Sequence, residues 1–127
     1  MKNYIIAGVV IVVLAGAIFG FTYLNRVKNY QDKVANIVIE DVDLKEIKDG
    51  KYIGEFDADV VAAKVEVEIK DNVIKDIKLI EHKTDRGAAA EVIPQKVVDA
   101  QSLKVDVISG ATNSSKIILK SIQNALD

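Results

Sequence analysis

Residues 4–24 form one apolar run of 21 residues, YIIAGVVIVVLAGAIFGFTYL, with no charged side chain in it. As a helix it would span about 31 Å, matching the roughly 30 Å hydrocarbon core of a bilayer. Such a segment either stays as a membrane anchor or is removed as a signal peptide, and Ala15-Gly16-Ala17 offers the small-residue pattern that a signal peptidase accepts. Apolar sequence continuing through Phe19, Phe21 and Leu24 favours the retained anchor. Lys2 flanks one side and Arg26 and Lys28 the other, so basic residues do not fix the orientation. The short N-terminal flank resembles a signal anchor, which would place the remainder outside the cytoplasm on a single-pass membrane protein.

The chain has 127 residues, so the part beyond the apolar run is about the size of one ordinary domain with one core. The expected division is an anchor over 1–25, a stalk or linker over 26–42 and a domain over 43–127. All 19 acidic residues and all but one of the 17 basic ones lie beyond the run, mixed in sign and net −3. That pattern suits a solvated surface and argues against nucleic acid as a partner. The chain lacks cysteine, which excludes disulfides, thiolate-held iron–sulfur clusters and c-type haem attachment. His82 is the single histidine, so a multi-histidine metal site within the chain is excluded as well. A redox role would therefore need an organic cofactor.

Residues 25–42 mix charge with aliphatics and would continue the helix or form a stalk. Asp43-Leu44-Lys45-Glu46 has capping-box spacing and predicts a helical turn before the turn signal Lys48-Asp49-Gly50. Tyr52 to Asp57 reads as a strand. From Ala63 to Lys70, Val65, Val67 and Ile69 alternate with Lys64, Glu66, Glu68 and Lys70, the period of a half-buried antiparallel strand. Asp71-Asn72 tolerates positive φ, so Val73 to Glu81 should return as the second arm of a hairpin. Residues 83–90 form a loop entering a helix that would turn Val92, Val97, Val98 and Leu103 to the core, with Pro94 in its first turn. Asn113 or Ser114 should cap a last helix with Ile117, Ile118, Ile122, Ala125 and Leu126 on one face. The expected class is α+β, a small antiparallel sheet with packed helices, preceded by one transmembrane helix.

The chemistry concentrates in Asp106-Val107-Ile108-Ser109-Gly110-Ala111-Thr112-Asn113-Ser114-Ser115. A glycine turn brings backbone close to a ligand, and the helix start behind it offers unpaired N–H groups to an anion such as phosphate. The hydroxyls of Ser109, Thr112, Ser114 and Ser115 add neutral donors. Taken by themselves, these residues say no more than a capped helix after a glycine turn.

Asp-x-x-Ser-Gly-Ala-Thr-x-Ser resembles the flavinylation motif of the FMN-binding domain family, which includes subunits of sodium-pumping and ferredoxin-linked membrane oxidoreductases. Asp49-Gly50-Lys51-Tyr52-Ile53-Gly54 is similar to the family's opening Asp-Gly-x-Tyr-x-Gly, and Leu79-Ile80-Glu81-His82 and Ala100-Gln101-Ser102 are similar to later blocks. The resemblance runs in order over about residues 43–127. It implies FMN as cofactor, held covalently on Thr112 through a phosphoester placed by a separate flavin transferase that uses FAD and a metal ion. Ser109, Gly110 and Ala111 would shape the loop, and Asp106 would serve transferase recognition or accept a hydrogen bond within the turn. Where many members carry Glu-Thr-Pro-Gly, this chain has Lys83-Thr84-Asp85-Arg86-Gly87, so that loop's contacts to the flavin ring do not carry over. His82 and Arg86 are the expected side chains near the cofactor there, with a surface His and a solvated Arg as the alternative. The implied function is an extracytoplasmic electron carrier, more a relay than an enzyme, whose partners are the transferase, membrane lipid and membrane or surface redox proteins. A noncovalent FMN-binding or sensory module, and a flavin reductase acting on a small acceptor, are the alternatives.

Overall fold

The computed structural model describes residues 2–84 and 87–127. Helix α1 (Lys2–Ala35) is continuous for 34 residues, about 51 Å, and therefore outruns the apolar segment by two to three turns. Its mean hydropathy reaches 2.7 over an 18-residue window, none of it buried. It is long and apolar enough to cross a membrane. Beyond Leu24 its character changes: Val27, Tyr30 and Val34, spaced three and four apart, form a stripe that is half-buried to buried on the domain.

Two basic side chains of α1 reinforce this docking. The Arg26 guanidinium donates from Nε and Nη2 to the two carboxylate oxygens of Asp59, at 2.5 and 2.8 Å. Lys33 donates to the Asp57 carbonyl and stands over the Phe56 ring. The hydrogen bond from Arg26 holds the Asp59 carboxyl below its usual 3.8, and Asp59 in turn raises Arg26. A depressed carboxyl keeps its full contribution above pH 3.8 and loses it as pH falls through the lower, folded value. The clasp should therefore persist through neutral and mildly acidic pH. A carboxyl-carbon NMR titration is expected to place the Asp59 midpoint below 3.8, moving back up in Arg26→Gln and in high salt, since both groups are exposed.

After α1 the chain runs extended along the domain, with Ile37, Ile39 and Val42 packed on the core. Asp41 accepts from Ser102 Oγ at 2.7 Å and from Leu103 N at 3.1 Å. Slight burial opposes ionisation of Asp41, but these bonds outweigh it and lower its pKa. The expected helical turn is the short 3-10 turn Leu44–Glu46, and Asp43 caps it by accepting from Lys45 N, one residue earlier than the Glu46 N of a capping box.

The sheet has three antiparallel strands in the order β1-β2-β3: β1 (Gly50–Asp57), β2 (Ala62–Lys70) and β3 (Val73–Lys83). On β2 the alternation is as expected, with Ala63, Val65, Val67 and Ile69 buried. Asp71 and Asn72 both take positive φ, 54° and 62°, the geometry whose twist suits a two-residue hairpin. The buried face is covered by α3 (Thr112–Leu126), lying over β1 and β2, while α2 (Ile93–Ala100) packs beside β3.

Three helix-level expectations change. The chain enters α2 through a 3-10 turn, Ala88–Val92, which leaves Val92 exposed and puts Ile93, Pro94 and Val97 inside. Leu103 is buried as expected, but beyond the helix, because Gln101 turns left-handed (φ 53°) and ends it. Neither Asn113 nor Ser114 caps α3. The helix already begins at Thr112 with Ala111 in the cap position, and Ser114 and Ser115 are buried within its first turn.

Candidate functional site

The Ile108–Ala111 turn is closed by a 2.9 Å bond from Ala111 N to Ile108 O, with Gly110 at φ +81° in its third position. A side chain there would meet open space, so the glycine is required by its backbone angle. Ser115 ties this turn to the helix from below: its Oγ donates to Ala111 O at 2.8 Å and accepts from Ile108 N at 3.0 Å. Both groups are main-chain atoms of the loop, so the buried hydroxyl fixes the loop's shape. Ser109, Gly110, Thr112 and Asn113 are left exposed above it. Thr112 thus presents its hydroxyl at the first residue of a 15-residue helix, beside N–H groups without intrahelical partners.

Beneath the helix start lies a hydroxyl cluster. Ser114 Oγ is 3.2 Å from His82 Nε2 and 3.2 Å from Thr84 Oγ1, and Thr84 Oγ1 accepts from Gly87 N at 2.8 Å. The His82 side chain is 3% exposed. Its Nδ1 is buried without a hydrogen-bond partner among the described residues, with Glu91 Oε1 3.8 Å away. Gly87 is needed for closeness: a Cβ there would stand 2.0 Å from Ser114 Oγ and 2.6 Å from Ser114 Cβ.

A cavity of about 450 Å³ opens in front of this cluster, within the roughly 300–1,000 Å³ usual for small-molecule sites. It is lined by Gly110 to Ser114, by Thr84 and Gly87, by Val60 and Val61 of the β1–β2 connection and by Tyr30 of α1. Among the residues expected from sequence, Gly110, Ala111, Thr112 and Ser114 line this cavity, with His82 behind Ser114 and Ser115 behind the loop. Asp106 is exposed further back, beside a separate surface depression with Lys96 and Lys104. Arg86 lies outside the described residues.

Sequence reasoning missed Tyr30, Val60, Val61, Thr84, Gly87 and Asn113 as cavity residues. Tyr30 carried a faint signal, as the middle member of the 27-30-34 stripe. The Gln101 block has a structural role: its amide donates to Ile74 O at 2.9 Å and its carbonyl accepts from Ile74 N at 2.8 Å, tying the helix end to the edge of β3.

Fold and site together define a small α+β module with an anion-favouring helix start facing a half-apolar cavity. Residues 62–127, just over half of the chain, match the FMN-binding domain family, and the chain belongs to it. It is also 42% identical over 66 residues to NADH:acrylate oxidoreductase of Vibrio harveyi. That alignment takes in 50% of this chain and 7% of the relative's length, so the chain is similar to one small part of a much larger protein. Membership makes FMN the cofactor this module binds. The residues present fit such a group: the hydroxyls and free helix N–H groups suit a phosphate, and Val60, Val61 and Tyr30 suit a flat conjugated ring.

Proposed function

We propose that this protein is a membrane-anchored electron carrier whose FMN is esterified to Thr112, with the domain on the extracytoplasmic side. The observation that carries the proposal is the exposed Thr112 hydroxyl at the start of α3, on the rim of the cavity. Attachment belongs to a separate flavin transferase acting on FAD. A bond forms between Thr112 Oγ1 and the phosphorus of the FMN half, the pyrophosphate bridge breaks, AMP leaves, and the hydroxyl proton passes to a base of the transferase. Exposure of Ser109 to Asn113 is what lets a second protein engulf the loop, and Ser115 holds that loop in one shape meanwhile.

When bound, FMN supplies reversible one- and two-electron transfer. The chain's own residues hold and shield it. The α3 N-terminus and Thr84 would hold its phosphate, and Val60 and Val61 would exclude water from part of its ring. An ester bond suits a site outside the cytoplasm, where a dissociated cofactor is lost by dilution. The apolar helix confines the carrier to the bilayer and raises its effective concentration near a quinol-linked donor or surface reductase.

The test is in-gel flavin fluorescence of the full chain made beside an active flavin transferase. A band that survives denaturation is expected, and Thr112→Ala is expected to abolish it while leaving the fold intact, because the side chain is exposed. Loss of the flavin on denaturation of the parent protein would instead favour a noncovalent module. Protease added to intact cells is expected to degrade the domain; protection until lysis would refute the external placement.

A further inference from the structure

Resting on the assignment of FMN to Thr112, we infer that Tyr30, on the extramembrane turns of the anchor helix, stacks on the flavin ring, so that the anchor itself completes the cofactor site. Tyr30 and Thr112 line the same cavity although 82 positions apart. With the phosphate tethered at the start of α3, the ring would find its apolar contacts among the other lining residues, Tyr30, Val60 and Val61. Tyr30 is the one aromatic residue lining that cavity among the described residues. It is half-buried, held between Val27 and Val34 on the docking stripe. One helical turn earlier, Arg26 is clasped by Asp59 in the same β1–β2 connection that supplies Val60 and Val61. The two walls of the ring's end are therefore tied to each other.

The placement also sets the distance to the membrane. Tyr30 lies six positions beyond Leu24, the end of the apolar run, which is about 9 Å along the helix. The ring accordingly rests at the membrane surface, on the side from which a lipid-embedded donor delivers electrons.

The experiment uses the full-length flavinylated chain in detergent, as parent, Tyr30→Ala and Tyr30→Phe, with intact mass establishing the adduct in each. A stacked phenol quenches flavin emission, whereas a phenyl ring shields the flavin from solvent without quenching it comparably. Emission is expected to rise in both variants. Quenching by added iodide is expected to become stronger in Tyr30→Ala alone, the unstacked-to-stacked ratio rising about fivefold, equivalent to about 1 kcal/mol of aromatic stacking. Adduct-bearing variants with the parent's emission and iodide response would overturn the assignment. Tyr30→Phe keeps the packing of the stripe, so parent-level emission in that variant overturns it even if Tyr30→Ala is unstable. A parent chain without the adduct overturns the underlying FMN assignment and this inference together.

Discussion

Gly54→Ala is expected to be the most damaging single-methyl change in the domain, with a cost at or beyond the upper end of the about 1–3 kcal/mol usual for overpacking. Gly54 lies on the inward face of β1, where α3 crosses the sheet in direct contact with its backbone. A Cβ there would stand 2.1 Å from Ser121 O, 2.4 Å from Ala125 N and 2.7 Å from Ala125 Cβ. Two of those atoms are main chain within a buried helix, so relief requires moving the helix. Ser121 is pinned at that crossing by its Oγ, 2.8 Å from Ile117 O and 3.2 Å from Ala63 O on β2. Moving α3 away from β1 therefore loosens its hold on β2 as well. Urea denaturation should show a large fall in midpoint for Gly54→Ala. Ile53→Ala is the control: it points outward, is 59% exposed, and should change stability by no more than about 0.5 kcal/mol.

The second large effect is expected at Gly87, where the loss is of site geometry more than of the fold. The added Cβ of Gly87→Ala would meet Ser114 Oγ at 2.0 Å, Thr84 Oγ1 at 2.5 Å and Ser114 Cβ at 2.6 Å. Hydroxyls can rotate, but Ser114 Cβ is carried by the first turn of α3, so that turn or the Gly87 backbone must shift. Either movement breaks the Ser114–His82 or Thr84–Gly87 hydrogen bond and narrows the cavity. A stability loss of about 1–3 kcal/mol is expected, with displaced His82 ring resonances by NMR and a lower yield of flavinylated protein. Unchanged His82 resonances with parent-level stability would show that the loop absorbs the methyl.

Much of this architecture is legible in the residues, because the sheet follows side-chain period and turn chemistry. Val65, Val67 and Ile69 alternate with charges for one reason, a helix on one face and water on the other, and Asp71-Asn72 closes the hairpin by local backbone preference. The apolar helix is likewise legible from composition alone.

The features that escaped are those decided by long-range packing. Asn113 and Ser114 have the chemistry of helix caps, yet Ser114 is drawn inside to meet His82 and Thr84, and the helix starts earlier. Val92 is as apolar as Val97, but a 3-10 turn shifts the phase and leaves it outside. Gly87 looks like any loop glycine until Ser114, 27 positions away, is brought against it. Tyr30 enters the cavity through the docking of a helix whose own sequence says nothing about its partner surface.

The proposed electron-carrier role depends most on the proposed ester at Thr112, and fragment mass spectrometry of the chain purified from native membranes tests it most directly. The expected result is one FMN phosphoester on Thr112, with Ser109, Ser114 and Ser115 unmodified. An unmodified Thr112, in membranes whose other flavinylated proteins carry their FMN, would contradict it.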